Sequence, residues 1–543
     1  MGYNETLDYI HGINRYAKKL GFENFRRLLR ELGDPQDRLR FIHIAGTNGK
    51  GSTAALTASV MKAAGYRTGL YTSPYLQRFT ERIRVDGAEI PEAEVVRLAE
   101  EVRRAIGAIL AEGFAHPTEL EVVAAIAFLY FTQAGCDIVA FEVGLGGRFD
   151  PTNVIKTPLA AVIATIDYDH MKKLGNTLEQ IAFEKAGIIK PGGDAVLYPQ
   201  PESVRKVFED AAGAAGARLR VCDFSALRQE AYGAWGQRFS YGPREGIEIS
   251  LLGDYQMRNA ALVIETIDII NQNKESGIYV PEDALRRGLK AARWPGRLEI
   301  LAEDPAVIID AAHNAQCAGA LRGALEKYFP GRELIFVFGV LRDKDYESII
   351  GSTLPIASAV FTVTAPSPRA IGAEELADML RARAGAGAGA KAGAETGARA
   401  GGGAGAGAGA WAGAEAGTGA GGGAEAGPGG RIWACESVAE AVRSAIELAK
   451  ASASEAVRPA VTLEAKASAS EAVRSAIELA KASASETVRP AVTLEAKDSA
   501  SSAVHRAVEL ANGSGGKPVV CAFGSMYFIG EVRDMFMEGK DVL

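Results

Sequence analysis

"FIHIAGTNGKGSTAAL", residues 41–56, decides how the chain is organised. Its apolar start, Phe41–Ala45, reads as a strand; glycines at 46, 49 and 51 break it, and a helix follows. That is the layout of a phosphate-binding loop. Glycines let the backbone approach an anion, and a helix start offers free N–H groups and the positive end of its dipole. The Walker A spacing is not met, because Gly51 instead of Ser or Thr follows Lys50 and Ile44 stands where the first glycine belongs. Lys50 can neutralise phosphate oxygens, and Ser52 or Thr53 can turn a hydroxyl toward magnesium.

Outward from this loop, short apolar strands alternate with helical stretches. "EVVAAIAFLYFTQAG" reads as a helix, "DIVAFEVG" and "LAAVIATI" as strands, and "TLEQIAFEKAG" and "LGDYQMRNAALVIETIDIIN" as helices. Apolar strands separated by helices predict an α/β fold with a mostly parallel sheet covered on both faces. The proline-glycine break in "AARWPGRLEIL", 291–301, marks a domain junction. The predicted organisation is a nucleotide-binding catalytic domain over 1–296 and a smaller Rossmann-like α/β domain over 297–543.

Two segments are expected to interrupt the smaller domain. Residues 385–430 are almost all glycine and alanine, with little to bury, and read as a disordered insertion. Residues 436–512 carry a repeat: "EAVR" at 440, 455 and 471, "ETVR" at 486 and "SAVH" at 502, a unit of 31 residues. Within it Val442, Ile446 and Ala449 share a helical face. The reading is a duplicated peripheral helix, a loosely packed excursion that leaves the sheet intact. "KPVVCAFGSMYFIGEVRDMF" then closes the domain.

At 543 residues the chain exceeds what one core serves, and its net charge of -7 argues against a nonspecific nucleic-acid binder. No apolar run reaches the ~18 residues of a membrane span. The mixed charges of the N-terminus do not resemble a signal peptide, and Gly2 lies in only a partial lipidation pattern. The cysteines at 136, 222, 317, 435 and 521 form no CxxC pair, so they are expected to be reduced thiols in a cytoplasmic protein.

Further polar groups sit where strands end. "TSPYLQRFTERIRVDG" holds Ser73, Glu81 and Arg82; "FEVGLGGRFDPTN" holds Glu142, Arg148, Asp150 and Asn153; "ATIDYDHMKKLG" holds Asp167, Asp169 and His170. Loops at the carboxyl edge of an α/β sheet converge on a ligand. Glu142, in an otherwise apolar strand, reads as a metal ligand or water orienter, and hard oxygens with one imidazole suit Mg2+ on a triphosphate.

Taken together, "HIAGTNGKGST", "YTSPYLQRFTERIRVDG", "FEVGLGGRFDPTN", "DYDHMKKLGNTLEQIAFEKAGIIK", "GDYQMRNAALVI", "WPGRLEI", "IIDAAHNAQ", "VFGVLRDKD" and "FGSMYFIGEVR" resemble the bacterial folylpolyglutamate synthases. These enzymes, often also dihydrofolate synthases, belong to the Mur ligase superfamily. The resemblance spans residues 1 to about 375 and 517–535, and glycine after the lysine is that family's form of the loop. It implies ATP contacts from Asn48, Gly49, Lys50, Gly51, Ser52, Asn259, Arg297, Asp310 and His313, and magnesium ligands at Ser73, Glu142 and His170. It also implies a carbamylated lysine at Lys185. The catalytic set would be Lys50, Glu142, His170 and Lys185, in a monomer using ATP, L-glutamate and a reduced folate or dihydropteroate.

Three departures accompany the match. Tyr75 stands in place of the usual histidine, Gln316 in place of a proline, which should loosen its turn, and "HPTELE" is only loosely similar near the folate. Within the superfamily the alternative is a cell-wall ligase acting on a UDP-linked peptide, against which "SPYLQRFTERI" and "EKAG" argue. Outside enzymes the alternative is a nucleotide-binding scaffold that has lost catalysis, against which the intact Lys50, Glu142, His170 and Lys185 argue.

Overall fold

A computed structural model describes residues 1–13, 21–394, 431–456 and 517–537. The chain divides into two compact units, Met1–Glu299 and Ile300–Leu543.

Among the described residues, the first unit is built on an eight-stranded sheet. Its strands are β1 (Phe41–Ala45), β2 (Thr68–Tyr71), β3 (Ile83–Val85), β4 (Ala88–Glu89), β5 (Ile138–Glu142), β6 (Ala160–Ile163), β7 (Asp194–Leu197) and β8 (Arg218–Val221). They lie in the order β4-β3-β2-β5-β1-β6-β7-β8. From β2 to β8 all neighbours are parallel, and β3 and β4 add an antiparallel edge. Strand β1 is therefore central and wholly buried, which its apolar sequence requires.

The two faces of β1 meet different partners. Ile42 and Ile44 join a core with Leu56, Val60, Ile264 and Ile267, from the helices Lys50–Ala63 and Asp254–Gln272. Phe41 faces the opposite core with Phe128 and Phe141, and Ala45 packs with Ile163 and Ile181. The register pairs Ile44 with Glu142, which brings that carboxylate beside the strand end that feeds the glycine turn.

A three-stranded antiparallel sheet, β9 (Leu227–Gly233), β10 (Gly236–Tyr241) and β11 (Arg244–Ile249), was not among the predicted elements. Its signal is present in the turns "AWG" and "GPRE" between alternating segments.

The second unit carries a six-stranded sheet among the described residues: β12 (Glu299–Glu303), β13 (Ala306–Asp310), β14 (Leu334–Phe338), β15 (Ala359–Thr362), β16 (Ile432–Ala434) and β17 (Val519–Phe523). The order is β12-β13-β17-β14-β15-β16, parallel from β13 onward. The strand latest in sequence thus takes a central place.

Two readings of this region need correction. The helix Ala373–Ala394 runs ten residues into the tract expected to be disordered from 385. Its first turns are anchored by buried Leu376, Ala377 and Leu380, and alanine propagates a helix already nucleated. The rest of that tract lies outside the described residues. The excursion expected at 436–512 begins instead as a core element. In the helix Val438–Ala456 the residues Ala441, Val442, Ala445, Ile446 and Ala449 are all buried, and the helix packs on β14, β15, β17 and the helix Met526–Met537. The predicted face is present; the parallel sheet needs a cover there, so it is buried instead of peripheral. The later copies of the repeat lie outside the described residues. No helix among the described residues is long and apolar enough to cross a membrane.

Candidate active site

The phosphate-type loop is held at both ends. Gly49 caps the helix Lys50–Ala63 with φ of 82°, which suits glycine, and the first helical bond runs from the Thr53 amide to the Gly49 carbonyl at 2.9 Å. By helix geometry the amides of Lys50, Gly51 and Ser52 have no intrahelical acceptor and are available to an anion. The Thr47 amide donates to the Thr165 carbonyl at 2.6 Å, and the Thr47 hydroxyl donates to the Asp167 carbonyl while accepting from the Asp167 amide. These bonds clasp the loop to the chain leaving β6.

The glycine that breaks the Walker spacing has a steric reason. A Cβ on Gly51 would lie 2.8 Å from the Trp294 ring, whose indole nitrogen is buried without a hydrogen-bond partner. Gly49 is similarly confined, its added Cβ falling 2.8 Å from Asn259 Oδ1. Asn259 donates to Gln256 Oε1 at 3.0 Å, and Gln256 donates to the Ser52 hydroxyl at 3.2 Å. Asn48, Gly49, Lys50, Gly51, Ser52 and Asn259 are therefore one contiguous group. Gln256 belongs to it as well, and its apolar-patterned helix gave no reason to single it out.

The charged groups divide by burial. Lys50 Nζ donates to the Thr47 carbonyl at 3.0 Å, and Lys185 Nζ, almost fully buried, donates to the Gly46 carbonyl at 2.9 Å. Burial, reinforced by the nearby Lys50 cation, pulls the Lys185 ammonium down to about 7. Glu142 accepts from the Ser73 amide at 3.1 Å. Burial pushes its carboxyl up to about 7, against the pull of Lys50, the Ser73 amide and Arg297. The buried acid and the buried base are thus both poised near neutrality, a pattern concentrated at functional sites.

Other predicted residues take different places. His170 is exposed, caps the short helix Met171–Leu174 with φ of 52°, and has its Nε2 3.9 Å from Asp169 Oδ2. Ser73 and Glu142 are brought together by the bond from the Ser73 amide, and His170 stands at the start of the short helix beyond β6. Among the described residues there is no grouping of three or more His, Cys, Asp or Glu that could hold a metal. Arg297 Nη1 donates to the Gly296 carbonyl.

In the second unit, Asp310 ends β13 and is buried, and His313 Nδ1 lies 2.8 Å from the Ala311 carbonyl. The turn expected to loosen at Gln316 is closed, because Asn314 accepts from the Cys317 amide at 3.0 Å and caps the next helix.

Glu81 and Asn153 are staples. Glu81 accepts from the amides of Leu76, Gln77 and Arg78, each at 2.9 Å, which fixes the loop carrying Ser73. Asn153 donates to the carbonyls of Arg148 and Gly187, tying the glycine loop to the end of the Lys185 helix. Arg82 is buried over the rings of Tyr75 and Phe79, at 5.2 and 5.6 Å from their centroids.

Glycine-framed amides, a buried lysine and a buried carboxylate at the edge of a mostly parallel sheet make a phosphate-type nucleotide site of an α/β protein. Residues 44–267 match the Mur ligase middle domain, and residues 296–400 match the Mur ligase glutamate ligase domain. The chain is 39% identical over 382 residues to the dihydrofolate synthase/folylpolyglutamate synthase of Bacillus subtilis, covering 69% of this chain and 88% of that protein. It is 39% identical over 380 residues to the folylpolyglutamate synthase of Lacticaseibacillus casei, covering 68% and 87%. The structure of Mycobacterium tuberculosis folylpolyglutamate synthase complexed with ADP superposes with a TM-score of 0.73 at 27% identity, over 99% of this chain and 98% of that one. The chain belongs to the folylpolyglutamate synthase/dihydrofolate synthase family of Mur ligases.

Proposed function

We propose that the protein is an ATP-dependent carboxylate–amine ligase that adds L-glutamate to tetrahydrofolate and, as a second acceptor, to dihydropteroate. The observation that carries the reading is the Lys50–Glu142–Lys185 set around a clasped phosphate loop, in a chain of this family. The second acceptor is favoured by the dual name of the Bacillus subtilis relative.

A carboxylate is a poor electrophile, and phosphorylation by ATP turns it into a good one. Its oxygen attacks the γ-phosphorus and ADP leaves; the amine of glutamate then attacks the acyl phosphate and phosphate leaves. Lys50 and the helix amides carry the phosphate charge in the first step. Asn259 and Gln256 keep Ser52 and the loop in place, and Arg297, Asp310 and His313 are assigned to the nucleotide.

The donor chemistry of Ser73, Glu142 and His170 fits magnesium, which takes few protein ligands alongside phosphates and water. Bound there, it would neutralise phosphate charge. Lys185, with its amine partly neutral near pH 7, is suited to add carbon dioxide as a carbamate, which converts a buried cation into an anion. The domains are assigned as 1–296 for nucleotide and folate and 297–543 for glutamate, in a cytoplasmic monomer.

Lys50→Ala tests the reading. ATP, glutamate and each acceptor are supplied in turn, and product mass and ADP are measured. The native chain should yield glutamylated folate with matching ADP, and the variant none. Coupled turnover retained by Lys50→Ala would refute the assignment.

A further inference from the structure

Strand β1 contains one residue that neither packing nor the nucleotide explains. On the face occupied by Phe41 and Ala45 stands His43, fully buried, its ring centroid 6.0 Å from that of Phe141. His43 Nδ1 is buried without a hydrogen-bond partner, a deficit that an apolar side chain would not incur.

Its other nitrogen starts a chain. His43 Nε2 is 2.8 Å from the Thr152 hydroxyl, and that hydroxyl is 2.6 Å from Asp150 Oδ1. Oδ1 also accepts the Thr152 amide at 3.0 Å, while Oδ2 accepts the Leu145 amide at 2.7 Å. A hydroxyl has one proton to give, and Asp150, holding these amides, takes it. The Thr152 oxygen must then accept from His43, which sets the neutral imidazole with its proton on Nε2. Burial, aided by the Lys190 cation, keeps the ring neutral by pulling it down to about 3.

The far end of the chain reaches the site. A Cβ on Gly144 would lie 3.3 Å from Asp150 Oδ2 and 3.5 Å from Ser73 Oγ, so aspartate, glycine loop and serine are packed together. The Ser73 amide in turn donates to Glu142.

We propose that His43 is a positioning residue for ligation: through Thr152 it orients Asp150, and Asp150 sets the loop Gly144–Gly147 against Ser73 and Glu142. The inference rests on the ligase reading above. His43 touches no substrate; it acts by supplying the proton that lets Thr152 direct its own toward Asp150.

The test uses the full chain in the ligation assay, with unfolding midpoints measured in parallel. Native activity comes first, and an inactive native chain would count against the ligase reading itself. Given activity, His43→Leu and Thr152→Val should each lower kcat by about tenfold or more, with KM for ATP within about threefold. His43→Gln, which keeps a donor near the Nε2 position, and Thr152→Ser, which keeps the hydroxyl, should recover most of the loss. The double variant His43→Leu/Thr152→Val should be no worse than the poorer single one, as members of one chain behave. If His43→Leu does not fold, the Thr152 pair decides alone. Loss that multiplies in the double variant, or Thr152→Ser falling with Thr152→Val, would overturn the proposal. So would kcat unchanged in both deletions.

Discussion

The loop Thr72–Arg82 and the end of strand β5 each bury a glutamate, and they treat it in opposite ways. Glu81 takes three backbone amides within its own loop and so is well supplied with donors. Glu142 takes the Ser73 amide, faces Lys50 and Arg297 at longer range, and is pushed up to about 7. A carboxylate that the backbone has satisfied is an internal tie. One buried with too few donors carries an electrostatic cost that a bound cation or substrate can relieve.

The largest effect is expected from Glu142→Gln. It should lower ligation by about a thousandfold, the scale of losing a charged group at a phosphoryl-transfer centre. It should also stabilise the ligand-free protein. The folded carboxyl is raised above its ordinary value of 4.5, so stability is intact below that value and declines as pH rises toward 7. The variant lacks the penalty and should gain about 1–3 kcal/mol at pH 8 and nothing at pH 4, read from denaturant midpoints at both pH values. Equal stability at pH 8 would show that Glu142 is as well satisfied as Glu81.

Lys185 extends the contrast to a base. Lys185→Ala should cost about a hundredfold in kcat, as removal of a charged group that orders the site does. In 13C spectra recorded with labelled bicarbonate, a carbamate signal should be present in the native chain and absent from the variant. It should strengthen between pH 6 and pH 8, because the amine, lowered to about 7, loses its proton over that interval. A signal that is unaffected by the substitution would dismiss Lys185 as its source.

The smallest effect is expected from Glu81→Gln. Amide donors remain bonded to one oxygen and lose the other, so about 1–3 kcal/mol of stability should go while kcat per folded molecule stays within about threefold. A large fall in kcat without loss of stability would mean that Glu81 acts on the reaction, and the two glutamates would no longer be distinct in kind.

How much of this was legible beforehand follows the distance over which each contact is made. The loop at Gly46–Ser52 could be read because its parts are neighbours in sequence. The family motifs pointed to Ser73, which the fold bonds to Glu142, and to Lys185, which it bonds to Gly46; they pointed equally to His170, which stands exposed at the start of the helix Met171–Leu174. The reason for Gly51 could not be read, since it is the Trp294 ring more than two hundred positions away. The repeat misled in a different manner. Its helical face was plain in Val442, Ile446 and Ala449, but the same face suits a peripheral helix and the cover of a parallel sheet.

The phosphate-type turn, the alternation of strand and helix around it and the family are written in local patterns, because periodicity, glycine placement and short motifs act over a few residues; the antiparallel sheet β9–β11 was not read from them. Only the tertiary structure decided which polar groups are satisfied. The parallel register sets Ile44 beside Glu142, and packing sets His43 against Thr152 and Lys185 against Gly46. Burial and hydrogen bonding then fix the charge and proton of each group, and those depend on neighbours that only the folded chain brings near.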